Sequence, residues 1–139
     1  VAQRSPEDVP DLWAQDANGN PTFTLEHILP QGNLSSVVEW RTAISPDNPA
    51  DAEQVQSDFC QKLGNLTLTS FNAELSNSPF IEKRDSNRDG QSVGYRNGLR
   101  LNAYVKEQIS WGPSQIIERG TELSEVLIKT LLFDDEAYP

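Results

Sequence analysis

FTLEHILPQG, residues 23–32, carries the only histidine of a 139-residue chain. Phe23 to Ile28 alternates β-capable residues and predicts a short strand. Pro30 ends it, because proline removes a backbone donor. Glu26 and His27 are neighbours, so on an ideal strand they face opposite sides. They meet at one site only if the strand ends between them.

The rest of the chain divides around this stretch. Residues 1–21 are rich in Pro, Asp and Asn, with a turn signal at 18–21, and predict an irregular lead-in. Val37 to Ile44 reads as a short helix burying Val37, Trp40 and Ile44. Asp51 caps a predicted helix to about Leu63, with Ala52, Val55, Phe59 and Leu63 as its apolar stripe and Gly64 at its C-terminal stop. Cys60 is expected to pack beside that stripe. Leu66 to Thr69 is a second strand, followed by helix from about Phe71 and a further turn opened by Ser78-Pro79. The spacing predicts a polar loop over 85–98, an amphipathic helix over 99–109 burying Leu101, Tyr104, Val105 and Ile109, and a last helix over about 114–133. The last helix would bury Ile116, Ile117, Leu123, Leu127 and Leu131, and Gly120 inside it costs about 1 kcal/mol relative to alanine. Residues 134–139 form an acidic tail.

Composition sets limits. No apolar run reaches the ~18 residues of a membrane span, no secretory signal is evident, and a single cysteine excludes an internal disulfide. A cytoplasmic home is the expectation. The chain holds no methionine, so we expect a piece, the C-terminal fragment, of a larger protein. The net charge is −10, yet residues 83–106 hold six of the eleven basic residues against two acidic ones, a local +4. A basic stretch on an acidic body still attracts phosphate locally.

Phosphodiester hydrolysis needs a base for water, a divalent cation and donors for the backbone. An imidazole, with its ordinary pKa of about 6.5, suits the first role. A carboxylate and a carboxamide oxygen are hard ligands suited to Mg²⁺. Asn65 and Asn72 flank the second strand. If the two strands pair, Asn72 at the following helix lies beside His27. Lys83 lies further along, within reach of a phosphate.

The ordered set EHILPQ (26–31), KLGNLTLT (62–69), FNAELSN (71–77), PFIEKR (79–84) and GLRLN (98–102), then Trp111 and Ile117 to Arg119, resembles the C-terminal domain of GmrSD-type modification-dependent restriction enzymes. Those domains are similar to the His-Me finger (HNH) nucleases. The resemblance covers roughly residues 22–133. It implies an α+β fold, a ββα-metal core with additional helices and mostly helical overall, and one Mg²⁺ that Mn²⁺ replaces. It implies a DNA endonuclease that nicks phage DNA within an antiviral restriction system. His27 would activate water, and Glu26 and Asn72 would bind the metal, with Asn77 as the alternative to Asn72. Asn65 would brace the loop between the strands. Lys83, Arg84, Arg88, Arg96 and Arg100 would lie along the DNA phosphates. The resemblance further implies a nucleotide-dependent sensor domain, N-terminal in the same protein or on a partner subunit, supplying specificity and much of the affinity for double-stranded DNA.

Three other readings compete. The fold with a dead site would serve as a DNA-binding or protein-docking module, although every expected residue type is present. A structural Zn²⁺ site lacks ligands, with one histidine and one cysteine. A ribonuclease of similar fold has no discriminating sequence feature, and DNA is favoured by the resemblance alone.

Overall fold

The computed structural model describes residues 10–133, and the expectations for residues 1–9 and for the tail at 134–139 lie outside them. Among the described residues the fold is α+β: five α-helices and two small antiparallel sheets. Strand β1 (Thr24–His27) pairs antiparallel with β2 (Leu66–Thr69), with Thr24 opposite Thr69 and His27 opposite Leu66. Helices α1 (Val38–Ile44) and α2 (Ala52–Phe59) fill the excursion between the strands. Helix α3 (Asn72–Leu75) follows β2 at once, and α4 (Phe80–Asp85) comes after a turn. The long α5 (Pro113–Phe133) closes the order. Among the described residues no helix is long and apolar enough to cross a membrane.

Residues 10–21 of the lead-in are more regular than their composition predicts. Asp16 Oδ1 accepts the backbone N–H groups of Asn18 and Asn20, and Gly19 takes a positive φ of 82° in the turn between them. Gln15 and Pro21 then bridge as a minimal antiparallel pair.

Four expectations are corrected. Helix α2 ends at Phe59, and Leu63–Asn65 forms a separate 3₁₀ turn with Leu63 exposed. The stretch 85–98 contains a hairpin, β3 (Asn87–Arg88) with β4 (Gln91–Ser92). Asp89 and Gly90 both take positive φ, 52° and 82°, at its turn. That conformation is the primed turn that matches strand twist and favours Asp-Gly. Residues 99–109 are not one helix but two 3₁₀ turns, Arg100–Asn102 and Val105–Glu107, with Ile109 exposed. The helix is broken because Asn102 turns inward, where its Oδ1 accepts from Thr67 Oγ1 at 2.6 Å. On α5, Ile116 is buried but Ile117, Leu127 and Leu131 are exposed, so only its first half packs on the body.

The core joins Ile28, Leu29 and Leu34 after β1 to Trp40 and Ile44 of α1, Leu75, Phe80, Tyr95, Val105, Trp111 and Ile116. Phe80 stacks between Tyr95 and Trp111, with centroids 6.2 and 5.5 Å away. Trp40 donates its indole N–H to Ser78 O, tying α1 to the turn before α4. Cys60 is buried as expected, and Val55 and Phe59 pack against the core.

Helix α5 reaches the strands through Gly64. A Cβ there would lie 1.8 Å from the Ile116 carbonyl oxygen, so α5 touches bare backbone. The need at Gly64 is close approach rather than a left-handed helix stop. Gly120 faces the same contact with ordinary spacing, 3.5 Å to Gly64 N. Gly64→Ala is expected to lower stability by about 3 kcal/mol through overpacking. Gly120→Ala is expected to cost nothing and to gain up to about 1 kcal/mol of helix propensity. Urea denaturation of both variants measures the contrast.

Candidate functional site

Strand β1 runs to its last residue without breaking between Glu26 and His27, so the two side chains diverge as strand geometry requires. Glu26 turns inward and is 2% exposed, while His27 is half-buried. Both nonetheless line one open cleft of ≈ 610 Å³, together with Pro30, Gln31, Asn72, Ser76 and Asn77. The cleft lies where the end of β1 meets the first turn of α3.

Asn72, the first residue of α3, is fixed by its amide nitrogen. Nδ2 donates to Leu25 O at 2.6 Å and approaches Thr24 Oγ1 at 3.4 Å. The nitrogen is held by strand β1, and Oδ1 is left as an acceptor with no partner among the described residues. Beside it Ser76 has a positive φ of 40°, a conformation a non-glycine residue holds only against strain. Asn77 follows and lies against Gly32, where an added Cβ would meet its amide nitrogen at 2.9 Å.

His27 Nε2 lies 3.0 Å from Gln61 Oε1, and Gln61 Nε2 donates to Gln31 Oε1, also at 3.0 Å. Neither glutamine stood out in the sequence. The only signal was their place, one just after Pro30 and the other just before the Leu63–Asn65 turn.

Asn65 is fully buried and uses all of its amide. Oδ1 accepts from Leu29 N at 2.7 Å and Trp111 Nε1 at 3.0 Å, and Nδ2 donates to Leu29 O and Cys60 O, both at 2.9 Å. The side chain thus mimics a strand partner for Leu29 and pins the segment after His27.

Lys83 corrects the sequence reading. It is 0% exposed, and its ammonium donates to Glu26 Oε1 at 2.7 Å, His27 O at 3.0 Å and Ile28 O at 3.2 Å. Those are all three of its donors, so it meets no phosphate. Burial pushes its pKa down, opposed by the charge of Glu26. Tyr95 donates its hydroxyl to the same Glu26 oxygen at 2.9 Å, and burial with the Glu26 charge raises the phenol. Glu26 Oε2 carries no hydrogen bond among the described residues.

The other basic residues divide. Arg84 is largely covered, binding Gln108 O and both oxygens of Asp85. Arg96 shares Asp85, and with Arg84 it holds that carboxyl well below its usual range. Arg88 makes an exposed 3.3 Å pair with Glu74. Arg100 is exposed and has no ion pair among the described residues. Arg119, buried, was part of the resemblance but was given no role. It donates to Gly64 O, Leu66 O and Leu101 O, and burial pushes its pKa down to about 10.

Among the described residues no three His, Cys, Asp or Glu side chains gather to hold a metal ion. A cation at this cleft would therefore have to rely on carboxamide oxygen and water besides Glu26, a hard-oxygen set of the kind that suits Mg²⁺. The free Asn72 Oδ1 and the spare Glu26 Oε2 fit that description.

A family model described as GmrSD restriction endonucleases, C-terminal domain, matches residues 5–126. No curated protein and no solved structure matches the chain.

Removing the Lys83 charge leaves Glu26 buried without its partner. Lys83→Met is expected to lower stability by about 3–5 kcal/mol. The double variant Glu26→Gln/Lys83→Met is expected to recover part of that loss. Chemical denaturation of the two variants in parallel measures the difference.

Proposed function

The chain belongs to the family of GmrSD restriction endonuclease C-terminal domains, whose role is that of a nuclease acting on DNA, and from that premise we propose a divalent-metal-dependent endodeoxyribonuclease that nicks DNA with His27 as its base. The observation that carries the reading is the meeting of three residues at one cleft. His27 and Glu26 at the end of β1 share it with Asn72, 45 residues later at the start of α3. The imidazole is open to solvent and has amide side chains around it.

A ring nitrogen of His27 takes the proton from the attacking water. Asn72, anchored on the Leu25 carbonyl, directs its oxygen away from the strand as a metal ligand, and Asn77 is the alternative at the same cleft. Glu26 offers its second oxygen, directly or through water, while Lys83 and Tyr95 hold the first. The bound ion, Mg²⁺ with Mn²⁺ able to replace it, supplies charge stabilisation at the phosphate and the leaving oxygen. Asn65 and Lys83 keep the segment around His27 in place through its backbone. Arg88, Arg96 and Arg100 contact phosphates along the duplex. Arg84 and Lys83 serve the fold instead.

The domain works in antiviral restriction beside a nucleotide-dependent sensor, in the same protein or on a partner subunit in the cytoplasm. Two of the exposed arginines already face carboxylates, Asp85 and Glu74. Phosphate contacts dominate non-specific affinity, so this −10 chain holds DNA weakly by itself. Duplex binding at physiological salt is expected at a Kd on the order of 1 µM or weaker. Submicromolar binding, read by fluorescence anisotropy, contradicts this division of labour.

Plasmid nicking with Mg²⁺ or Mn²⁺ tests the chemistry. His27→Ala is expected to lose about 10²–10⁴ in rate, the usual contribution of a general base, with its melting temperature nearly unchanged. Asn72→Ala is expected to raise the metal concentration needed for half-maximal nicking. Equal nicking by wild type and His27→Ala traces the activity to a contaminant and overturns the assignment.

A further inference from the structure

We propose that Gln61 is a positioning residue that fixes the tautomer of His27, so that Nδ1 is the nitrogen that receives the proton. This rests on the nuclease reading above for its consequence, but not for its geometry.

The chain of hydrogen bonds runs one way. Gln61 donates its amide N–H to Gln31 Oε1, which turns its own Oε1 toward His27 Nε2 at 3.0 Å. An amide oxygen only accepts. With both amides oriented this way, Nε2 carries the hydrogen and the neutral ring keeps its lone pair on Nδ1. No group among the described residues bonds Nδ1, so it is available to a water in the cleft.

The two glutamines are exposed, but the backbone beneath each is held. Gln56 Nε2 donates to Pro30 O at 2.6 Å and Gly32 O at 2.7 Å, the carbonyls on either side of Gln31. The carbonyl of Cys60, just before Gln61, accepts from Asn65 Nδ2. Asn65 also pins Leu29, so one buried amide sets the spacing between the strand end that carries His27 and the turn that carries Gln61. A free surface glutamine spends its time on water. This one starts from a held backbone and meets two side chains whose own backbones are held, at Pro30 and Gly32 for Gln31 and by Lys83 for His27.

Because His27 is the only histidine, its ring nitrogens can be read without assignment in a ¹⁵N-labelled 139-residue chain. The measurement is long-range ¹H–¹⁵N correlation at a pH raised until the ring nitrogens stop shifting, so that the neutral ring is observed. Wild type is expected to show a protonated Nε2 and an unprotonated Nδ1. Gln61→Leu is expected to shift both nitrogens toward values averaged over two tautomers. It should also lower kcat for nicking about tenfold, a fraction of what the base supplies, with KM for plasmid unchanged. Gln61→Glu keeps an acceptor and should keep the wild-type tautomer, and Gln31→Leu should shift the nitrogens in the direction of Gln61→Leu. Backbone amide spectra check that each variant is folded. A wild-type ring protonated on Nδ1, or a Gln61→Leu ring indistinguishable from wild type, overturns the proposal. His27→Ala in the same nicking assay separates the two ideas. If it nicks like wild type, the nuclease reading falls while the nitrogen spectra still decide the tautomer. If it is inactive and Gln61→Leu is unchanged in both measurements, the positioning role falls alone.

Discussion

A lysine with no water around it holds the end of the first strand. Lys83 brings three donors to Glu26 Oε1, His27 O and Ile28 O. Taking an ammonium and a carboxylate out of water costs several kcal/mol per ion. That cost is offset only when the pair is close and its remaining hydrogen-bonding capacity is filled. The 2.7 Å contact, the two carbonyls and the Tyr95 hydroxyl provide this. The consequence reaches the surface. The backbone of His27 is gripped from α4 on its buried side while its ring stays in the cleft, so the site depends on an interaction it never displays.

The same logic recurs through the interior. This chain is only 36% hydrophobic, and several of its most buried side chains are polar: Asn65, Thr67, Lys83, Asn102 and Arg119. Each reaches backbone or another polar group across the fold. Asn65 holds Leu29 and Cys60, and Arg119 gathers the carbonyls of Gly64, Leu66 and Leu101. Bonds to a charged donor are stronger than neutral ones, and in a dry interior they are costly to leave unmade. A guanidinium reaching three carbonyls therefore joins α5 to the turn before β2 and to the turn at Arg100–Asn102. Gly64 permits the contact, because any side chain there would hold α5 away from those carbonyls.

Local chemistry was legible in the sequence, and so was the pairing of the two strands, but the long-range partners of buried polar side chains were not. Strand β2 was readable to the residue, and β1, α1 and α5 to within a residue or so, because their signals are alternation, proline and apolar spacing over a few neighbours. The nearness of Asn72 to His27 followed from pairing two strands, whereas the brace at Asn65 came from the family resemblance alone. Lys83 was misread because its carboxylate partner lies 57 residues away, and a lysine beside an arginine looks the same in sequence whether it is solvated or buried. The break in 99–109 has the same origin. Leu101, Tyr104 and Val105 have helical spacing, but Asn102 is drawn inward by Thr67, 35 residues earlier. The sheet itself inverts the usual sense of alternation. Thr67 and Thr69 point inward while Leu25 is exposed and Leu68 half-buried, because the inner face is built from hydrogen bonds.

The buried lysine also shapes what the cleft can attract. Glu26 is the one acidic residue among those that line it, and the others are apolar, amide, hydroxyl or imidazole. On a chain of net charge −10, an exposed carboxylate at the centre of the site would add to the repulsion of a phosphodiester. Pairing Glu26 with Lys83 makes that corner neutral at close range while leaving one carboxylate oxygen unbonded. The amides of Gln31, Asn72 and Asn77 bring dipoles without net charge, so they can face either a phosphate or a cation. A site made this way is not strongly attractive to DNA or to metal alone. On the proposed reading each would favour the other, because a bound cation would reverse the sign of the field at the cleft and a phosphate would supply the oxygens that a sparse protein ligand set lacks.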